Sequence, residues 1–454
     1  MPSTAVLLFI RDLRVLDNPT LHAACRAADR VLPLFVLDDA ILGSPYNAPN
    51  RAHFLAGALR DLDASLKQLG TNGLVMRRGD VANQTAAVAA EVGADEVHLS
   101  ADWSGYAQRR QQRLAAQLGD DGRRLRMHED TVVVQPPGSL TPAGKDHYAV
   151  FTPYFRAWSD VGLRTPVAPP SRVGAVRVRK GRLPSPADIC VGDLAPELPE
   201  PGESAGRRRV ATWRRSAVHR YEERHDDLAG DATARISPYL HFGCLSPVEV
   251  VRSAGRSAGA AAFVRQLAWR DFHLQVLAAR PDTARRDYRH RGDRWRRSRS
   301  DLDAWRRGRT GIPIVDAAMR QLLHEGWMHN RGRLLTASFL AKTLYLDWRL
   351  GARHFMDHLV DGDVANNQLN WQWVAGTGTD TRPNRVLNPL RQATRFDPDG
   401  DYVRRYVPEL AGVHGPAVHQ PWRLPASVRS ELDYPEPLVD PDEGRRRFLE
   451  ARGR

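Results

Sequence analysis

Over the first 134 residues, short apolar runs alternate with amphipathic stretches. The runs at 5–10, 31–37, 74–77, 96–100 and 131–134 have the length and β-branched content of buried strands. Between them, residues 19–28, 51–69, 81–92 and 106–118 read as helices. Asn18 is placed to cap the first of these ahead of a proline, and Leu55, Leu59, Leu62, Leu66 and Leu69 form one stripe on the second. Strand and helix in turn predict an α/β domain built on a doubly wound, five-stranded parallel sheet. No GxGxxG opens the first helix, so the usual dinucleotide signature is missing there. The charged loop 11–18, RDLRVLDN, is expected to form salt bridges to a second domain.

The pattern then changes twice. Residues 135–206 are dense in proline and glycine and predict a long irregular connector, with YAVFTPYFRAW at 148–158 as an aromatic segment that pins it to one domain. From residue 207 onward strand patterns vanish. Helical periodicity follows at 207–225, 246–255, 260–280, 301–308, 314–325, 331–346 and 352–360, the sixth of these after Gly326 has closed the fifth. The expected organisation is an α/β domain at 1–134, the connector at 135–206 and a larger all-α domain at 207–454.

A chain of 454 residues is longer than a single core usually holds, which agrees with two domains. No run of 18 apolar residues and no signal-peptide pattern occurs, so a cytoplasmic protein without membrane contact is expected. Cys25, Cys190 and Cys244 are scattered without CxxC spacing, which argues against a disulfide framework and a zinc site and leaves no metal expected. A net charge of +13 favours a polyanionic partner, although 62 of the 66 basic residues are arginine, which also fits a compositional bias.

The chemistry concentrates at residues 361–380, DGDVANNQLNWQWVAGTGTD, where two tryptophans sit among aspartates, asparagines and glutamines. In a helix starting near Asp363, each residue turns by about 100°, so Asn367 and Trp371 share a face while Trp373 points nearly the opposite way. Buried indoles are common, and a WxW pattern alone is compatible with packing. Seven of the eleven tryptophans, however, lie between Trp269 and Trp373, more aromatic area than a core requires and suited to a flat ligand and stacked bases.

Together with PIVDAAMRQL at 313–322, GWMHNR at 326–331 and TASFL at 336–340, this stretch resembles the flavin domain of the photolyase and cryptochrome family. The resemblance is greatest to its class I cyclobutane pyrimidine dimer branch and extends from the first strand to about Leu410. It implies FAD, reduced in the active form, held by Tyr221, by Thr233, Ala234, Arg235, Ile236 and Ser237 around the pyrophosphate, and by Gln266, Arg270, His273, Asn330, Arg333, Asp361, Gly362, Asp363 and Asn367. Asp361 would pair with Arg333, and Asn367 would face the reactive central nitrogen of the ring. A neutral amide there tolerates an anionic reduced flavin that a carboxylate would repel. Trp371, Trp348 and Trp295 match the family's three-tryptophan electron-transfer chain. Trp269 and Trp373 match the walls of a pocket for a flipped-out lesion, with Gln266, Asn330 and Leu334 in that pocket and Arg331, Arg391 and Arg395 on the flanking phosphates.

Many family members carry a second, light-harvesting chromophore. The stretch DWSGYAQRRQQR lacks the Asn-Glu pair of folate-binding members, whereas Asp102 and Arg51 match positions of deazaflavin-binding ones, so 8-hydroxy-5-deazaflavin is favoured over methenyltetrahydrofolate. The resemblance therefore implies light-driven repair of cyclobutane dimers in UV-damaged DNA by a monomer with no obligate protein partner. Two alternatives stand beside it. A cryptochrome photoreceptor is disfavoured by Asn367 and by the short tail after the flavin domain, and a (6-4) photolyase by Asn330, where a second histidine would follow His329.

Overall fold

A computed structural model describes residues 2–230 and 232–453. Its five-stranded sheet is wholly parallel in the order β3-β2-β1-β4-β5, with β1 at Thr4–Leu8, β2 at Arg30–Asp38, β3 at Val75–Gly79, β4 at Glu96–Ser100 and β5 at Arg124–His128. The register pairs Val6 with Leu32 on one side and with Val97 on the other, so β1 is buried centrally and tolerates an unbroken apolar run. Helices α1 (Pro19–Ala27), α2 (Pro49–Gln68), α3 (Val81–Glu91) and α4 (Gly105–Asp120) connect the strands. The Asn18 side chain accepts from the Leu21 amide, as its place before Pro19 predicts.

The fifth strand is not where the apolar run predicted it. β5 is the polar segment RLRMH, an edge strand with most of its residues exposed, and Arg124 and Arg126 pair with Glu96 across its flank. Residues 131–134 are fully buried but belong to no ladder. Side chains satisfy their backbone instead: Arg14 donates to the Thr131 carbonyl, Arg270 to the Val132 carbonyl, and the Val134 amide donates to Asp271. Burial made this segment look like a strand, and its burial is against helices.

Most of residues 135–206 has no regular structure, but α5 (Phe151–Asp160) forms within it. Phe151 stacks on Trp269 with centroids 3.7 Å apart, and the Trp158 indole donates to Asp271, which ties this segment to the long helix α7 (Ala258–Ala279). The predicted helix at 207–225 is interrupted: α6 (Glu203–Ser216) ends at Ala217, and a separate turn, Tyr221–Arg224, follows. The remainder is helical, including α8 (Pro313–Glu325), α9 (Asn330–Ser338), α10 (Trp348–His358), α11 (Val364–Ala375), α12 (Pro389–Phe396) and α13 (Pro441–Ala451). Gly326 ends α8 with φ of 60°, the left-handed conformation that glycine adopts without strain. One apolar core runs without interruption from Leu7 of the sheet and Phe9 just beyond β1 to Phe272 and Leu274 of α7, so sheet and helices pack as a unit. Among the described residues, no helix is long and apolar enough to cross a membrane.

Candidate functional site

The strand order reverses at β1, which opens a crevice beyond the carboxyl ends of β1 and β4 where ligands of such sheets bind. Here the crevice faces the helices across the loop that follows β1. Arg11 donates to Asp363 at 2.6 Å and to the His241 carbonyl at 3.0 Å, while buried Arg14 donates to the Gly243 carbonyl at 3.0 Å. Asp17 is held by Arg164 and by the Ser246 hydroxyl. The loop thus makes the expected charged contacts and fixes the sheet to the helical part.

Asp363 is the residue on which the geometry turns. Its carboxylate caps α11 by accepting from the Asn366 amide at 2.8 Å and also receives Arg11. Burial would raise its pKa, but Arg11, His241 and Arg270 outweigh burial and hold it well below the usual carboxylate range. Two residues earlier, Asp361 pairs with Arg333 at 2.7 Å, and its Oδ1 is buried with no hydrogen-bond partner among the described residues. Gly362 between them packs against Arg51, since a Cβ there would lie 2.6 Å from the guanidinium. The two aspartates of this turn therefore serve opposite sides, Asp361 toward Arg333 and Asp363 toward Arg11.

On α11, Asn367 donates its amide to the Ala352 carbonyl at 3.0 Å, which leaves its Oδ1 accepting no hydrogen bond among the described residues. His273 of α7 meets Asn366 through Nδ1 at 3.2 Å, its Nε2 has no partner, and burial pushes its pKa down to about 4, so it is neutral near pH 7. Nearby, Arg235 has φ of +48°, a strained value for a non-glycine residue, and is held by Glu325 at 2.7 Å and by stacking over Trp327. The carbonyls of Ala232 and Ala234 are taken by Trp213 and Arg209, and the Ser237 hydroxyl accepts from Trp327. The amides of Thr233, Ala234 and Ile236 donate no hydrogen bond among the described residues, as a cradle for an oxyanion requires. Tyr221 lies against Trp213 and Phe263 with its ring buried. A flavin nucleotide fits this donor and acceptor set: Asp361 Oδ1 and Asn367 Oδ1 are open acceptors for ring N–H groups, and the amides of Thr233, Ala234 and Ile236 are open donors for a pyrophosphate.

The tryptophans divide into two groups. Trp371 is buried, T-shaped against Phe355 at 5.0 Å and Trp305 at 6.0 Å, and α10 approaches it so closely that a Cβ on Gly351 would lie 2.2 Å from the indole. Trp348, fully buried at the start of α10, donates to Asp287 at 2.9 Å, and half-buried Trp295 lies 5.1 Å from Tyr345. Trp269 and Trp373 are only half-buried, as are Leu334 and Arg270, while Gln266, Asn330, Arg391 and Arg395 are exposed. Arg331 is less free than its expected role with phosphates implies: it pairs with Asp226 at 2.5 Å and lies 4.3 Å over Phe396.

The crevice itself is a cavity of about 1030 Å³. It is lined from the sheet side by Phe35, Asp38, Asp102 and Tyr106 and from the helical side by His241, Gly362 and Asp363. Asp102 reaches Arg11 at 3.8 Å. Arg51 also lines the cavity, but its guanidinium is occupied, donating to the Met356 and Leu359 carbonyls at 2.5 and 2.8 Å. Sequence reasoning missed Asn366, Asp226, Glu325 and Phe151. Phe151 left a signal in the aromatic segment 148–158, and Asn366 lay within the polar stretch 361–380; Asp226 and Glu325 left none.

A family model described as DNA photolyase matches residues 5–171, and one described as the FAD binding domain of DNA photolyase matches residues 263–454. A deoxyribodipyrimidine photo-lyase from Streptomyces griseus is 57% identical, the match covering 99% of each chain. A bacterial class III photolyase from Agrobacterium tumefaciens superimposes with a TM-score of 0.91 at 32% identity, covering 100% of this chain and 98% of its own. An archaeal photolyase from Sulfolobus tokodaii, solved with two FAD molecules, superimposes with a TM-score of 0.87 at 29% identity, covering 99% of each.

Proposed function

The chain belongs to the DNA photolyase family, and from that premise we propose that it uses light to split cyclobutane pyrimidine dimers in DNA. The observation that carries this reading is the turn 361–363, where a buried, half-satisfied Asp361 and the helix-capping Asp363 set Asn367, Trp371 and Trp373 on one short helix. Bound in its reduced form, FAD would supply the light-driven electron chemistry that opens the cyclobutane ring.

The chain's own residues do the rest. Asp361, held by Arg333, accepts from the flavin ring, and Asn367 presents a neutral amide that neither repels an anion nor traps a charge. The 233–237 amides hold the pyrophosphate, with Arg235 fixed in place by Glu325. Trp371, Trp348 and Trp295 would relay electrons from an external reductant at the surface toward the flavin site. Trp269, supported from behind by Phe151, and Trp373 stack on the extruded lesion, and Gln266 donates to its carbonyl oxygens. Arg391 and Arg395 contact the flanking phosphates, while Arg331 contributes once it leaves Asp226. No nucleophile is required. We divide the parts as residues 1–134, 135–206 and 207–454, with α6 carrying the start of the helical part back to Glu203, and the protein acts as a cytoplasmic monomer.

The cavity between sheet and helices is the site of a second chromophore, and we read it as a deazaflavin site on the strength of Asp102 and the missing Asn-Glu pair. An absorption spectrum before and after denaturation tests both assignments. One FAD released per chain, with dimer repair that stops in the dark, supports the reading. Repair that proceeds equally in the dark contradicts it.

A further inference from the structure

Among the charged groups that line the crevice cavity, Arg110 stands apart. Its side chain comes from the second turn of α4 and is 4% exposed, yet Nε and Nη2 are both buried without a hydrogen-bond partner, and it forms no ion pair among the described residues. The other charges there are occupied or open to water. Arg11 is taken by Asp363 and Asp102, Arg51 by backbone carbonyls, and Asp38 by Tyr106 and the Ala40 amide. Arg109, Arg285 and Arg286 are exposed. The nearest π face to Arg110 is Tyr106, with the guanidinium carbon 5.7 Å from the ring centroid. Burying a guanidinium without acceptors is unfavourable, and a fold keeps such a group where a ligand completes it.

We infer that Arg110 is the anion-recognition residue of the second chromophore site, and that the ligand of this cavity carries a negative group seated against its guanidinium. The inference rests on reading the cavity as a chromophore site, and it adds the charge of the ligand and the residue that selects it. Two flat chromophores supply an anion in different places: a ring hydroxyl that ionises near neutrality, as in 8-hydroxy-5-deazariboflavin, or a side-chain phosphate, as in FMN. Both would satisfy the fork of N–H donors, whereas riboflavin, with neither group, would not.

The test uses the full-length FAD-containing protein and those three probes, with binding followed by fluorescence quenching for wild type, Arg110→Gln and Arg110→Lys. At least one anionic probe is expected to bind wild type more tightly than riboflavin, to lose about tenfold or more in affinity in Arg110→Gln, and to recover part of it in Arg110→Lys. Dependence confined to the hydroxydeazaflavin identifies a ring oxyanion, and dependence confined to FMN identifies a phosphate. Binding of all three probes with no change in either variant overturns the role of Arg110 while leaving the chromophore site standing, and failure of every probe to bind wild type overturns both. The probe-free protein gives an independent reading. Arg110→Met, which removes an unpaired buried charge, is expected to raise Tm, and a fall in Tm would show the arginine to be structural.

Discussion

Arg11 and Asp363 meet at 2.6 Å across 352 residues of sequence, and the same carboxylate that receives Arg11 also caps the helix bearing Asn367, Trp371 and Trp373. The position of that helix is thereby tied to the end of the first strand. Asp363→Asn keeps a capping oxygen but leaves Arg11 only its longer pairing with Asp102, at 3.8 Å, as counter-charge. Since Arg11 is partly solvated, the expected loss lies between surface and fully buried pairs, about 2 kcal/mol. Denaturant unfolding of the single variants and of the double variant with Arg11→Met measures it, and a coupling energy near zero would contradict the latch.

Gly351 is the second tight point. An added methyl at that position meets the Trp371 ring at 2.2 Å, a contact with no flexible atom able to yield. Gly351→Ala is expected to destabilise by about 2 kcal/mol and to slow light-driven flavin reduction by displacing the indole. Unchanged Tm together with an unchanged photoreduction rate would show that α10 does not hold Trp371.

Trp371→Phe preserves the aromatic packing against Phe355 but removes the readily oxidised indole. FAD binding is expected to persist, photoreduction of oxidised flavin to fall at least tenfold by transient absorption, and repair by chemically pre-reduced protein to continue. Photoreduction at the wild-type rate would remove Trp371 from the chain.

Acid should weaken this fold well above the carboxylate range. Burial pushes His241, His273 and His329 down to about 4 from 6.5. Between those values the unfolded chain takes up protons that the native state refuses, so their stabilising effect is complete above about pH 6.5 and is lost as pH falls toward 4. Each contributes about 1.4 kcal/mol per pH unit in that window. Urea unfolding at pH 7 and pH 5 should show the loss, and His273→Gln should reduce the pH dependence. An identical pH dependence in that variant would show that His273 is not buried neutral.

The elements that position the site were largely legible from periodicity, and the exceptions share a cause. Asn18, Asp363 and Gly326 announce helix ends through local chemistry, and all three sit where expected. The fifth strand was misplaced because the buried run at 131–134 satisfies its backbone through Arg14, Arg270 and Asp271, residues distant in sequence, while the true strand at the sheet edge is mostly polar. Asp361, Asp363 and Asn367 were marked by their motif. The particular partner of Arg11, the contact of His273 with Asn366, the support of Arg235 by Glu325 and the pairing of Arg331 with Asp226 depend on tertiary contacts that no spacing rule encodes.

The central claim is that the pocket walled by Trp269 and Trp373 opens a cyclobutane dimer by electron injection and lacks the acid that a (6-4) lesion requires. The Asn330 amide is too weak an acid to protonate a lesion, and burial pushes the neighbouring His329 down to about 4, leaving it neutral near pH 7 and capping α9 through Nδ1. The decisive measurement incubates reduced protein under blue light with oligonucleotides carrying each lesion separately. Restoration of the cyclobutane dimer alone, weakened in Gln266→Ala, is the predicted result. Restoration of the (6-4) oligonucleotide, or no repair of the cyclobutane one while the flavin is demonstrably reduced, would contradict the account.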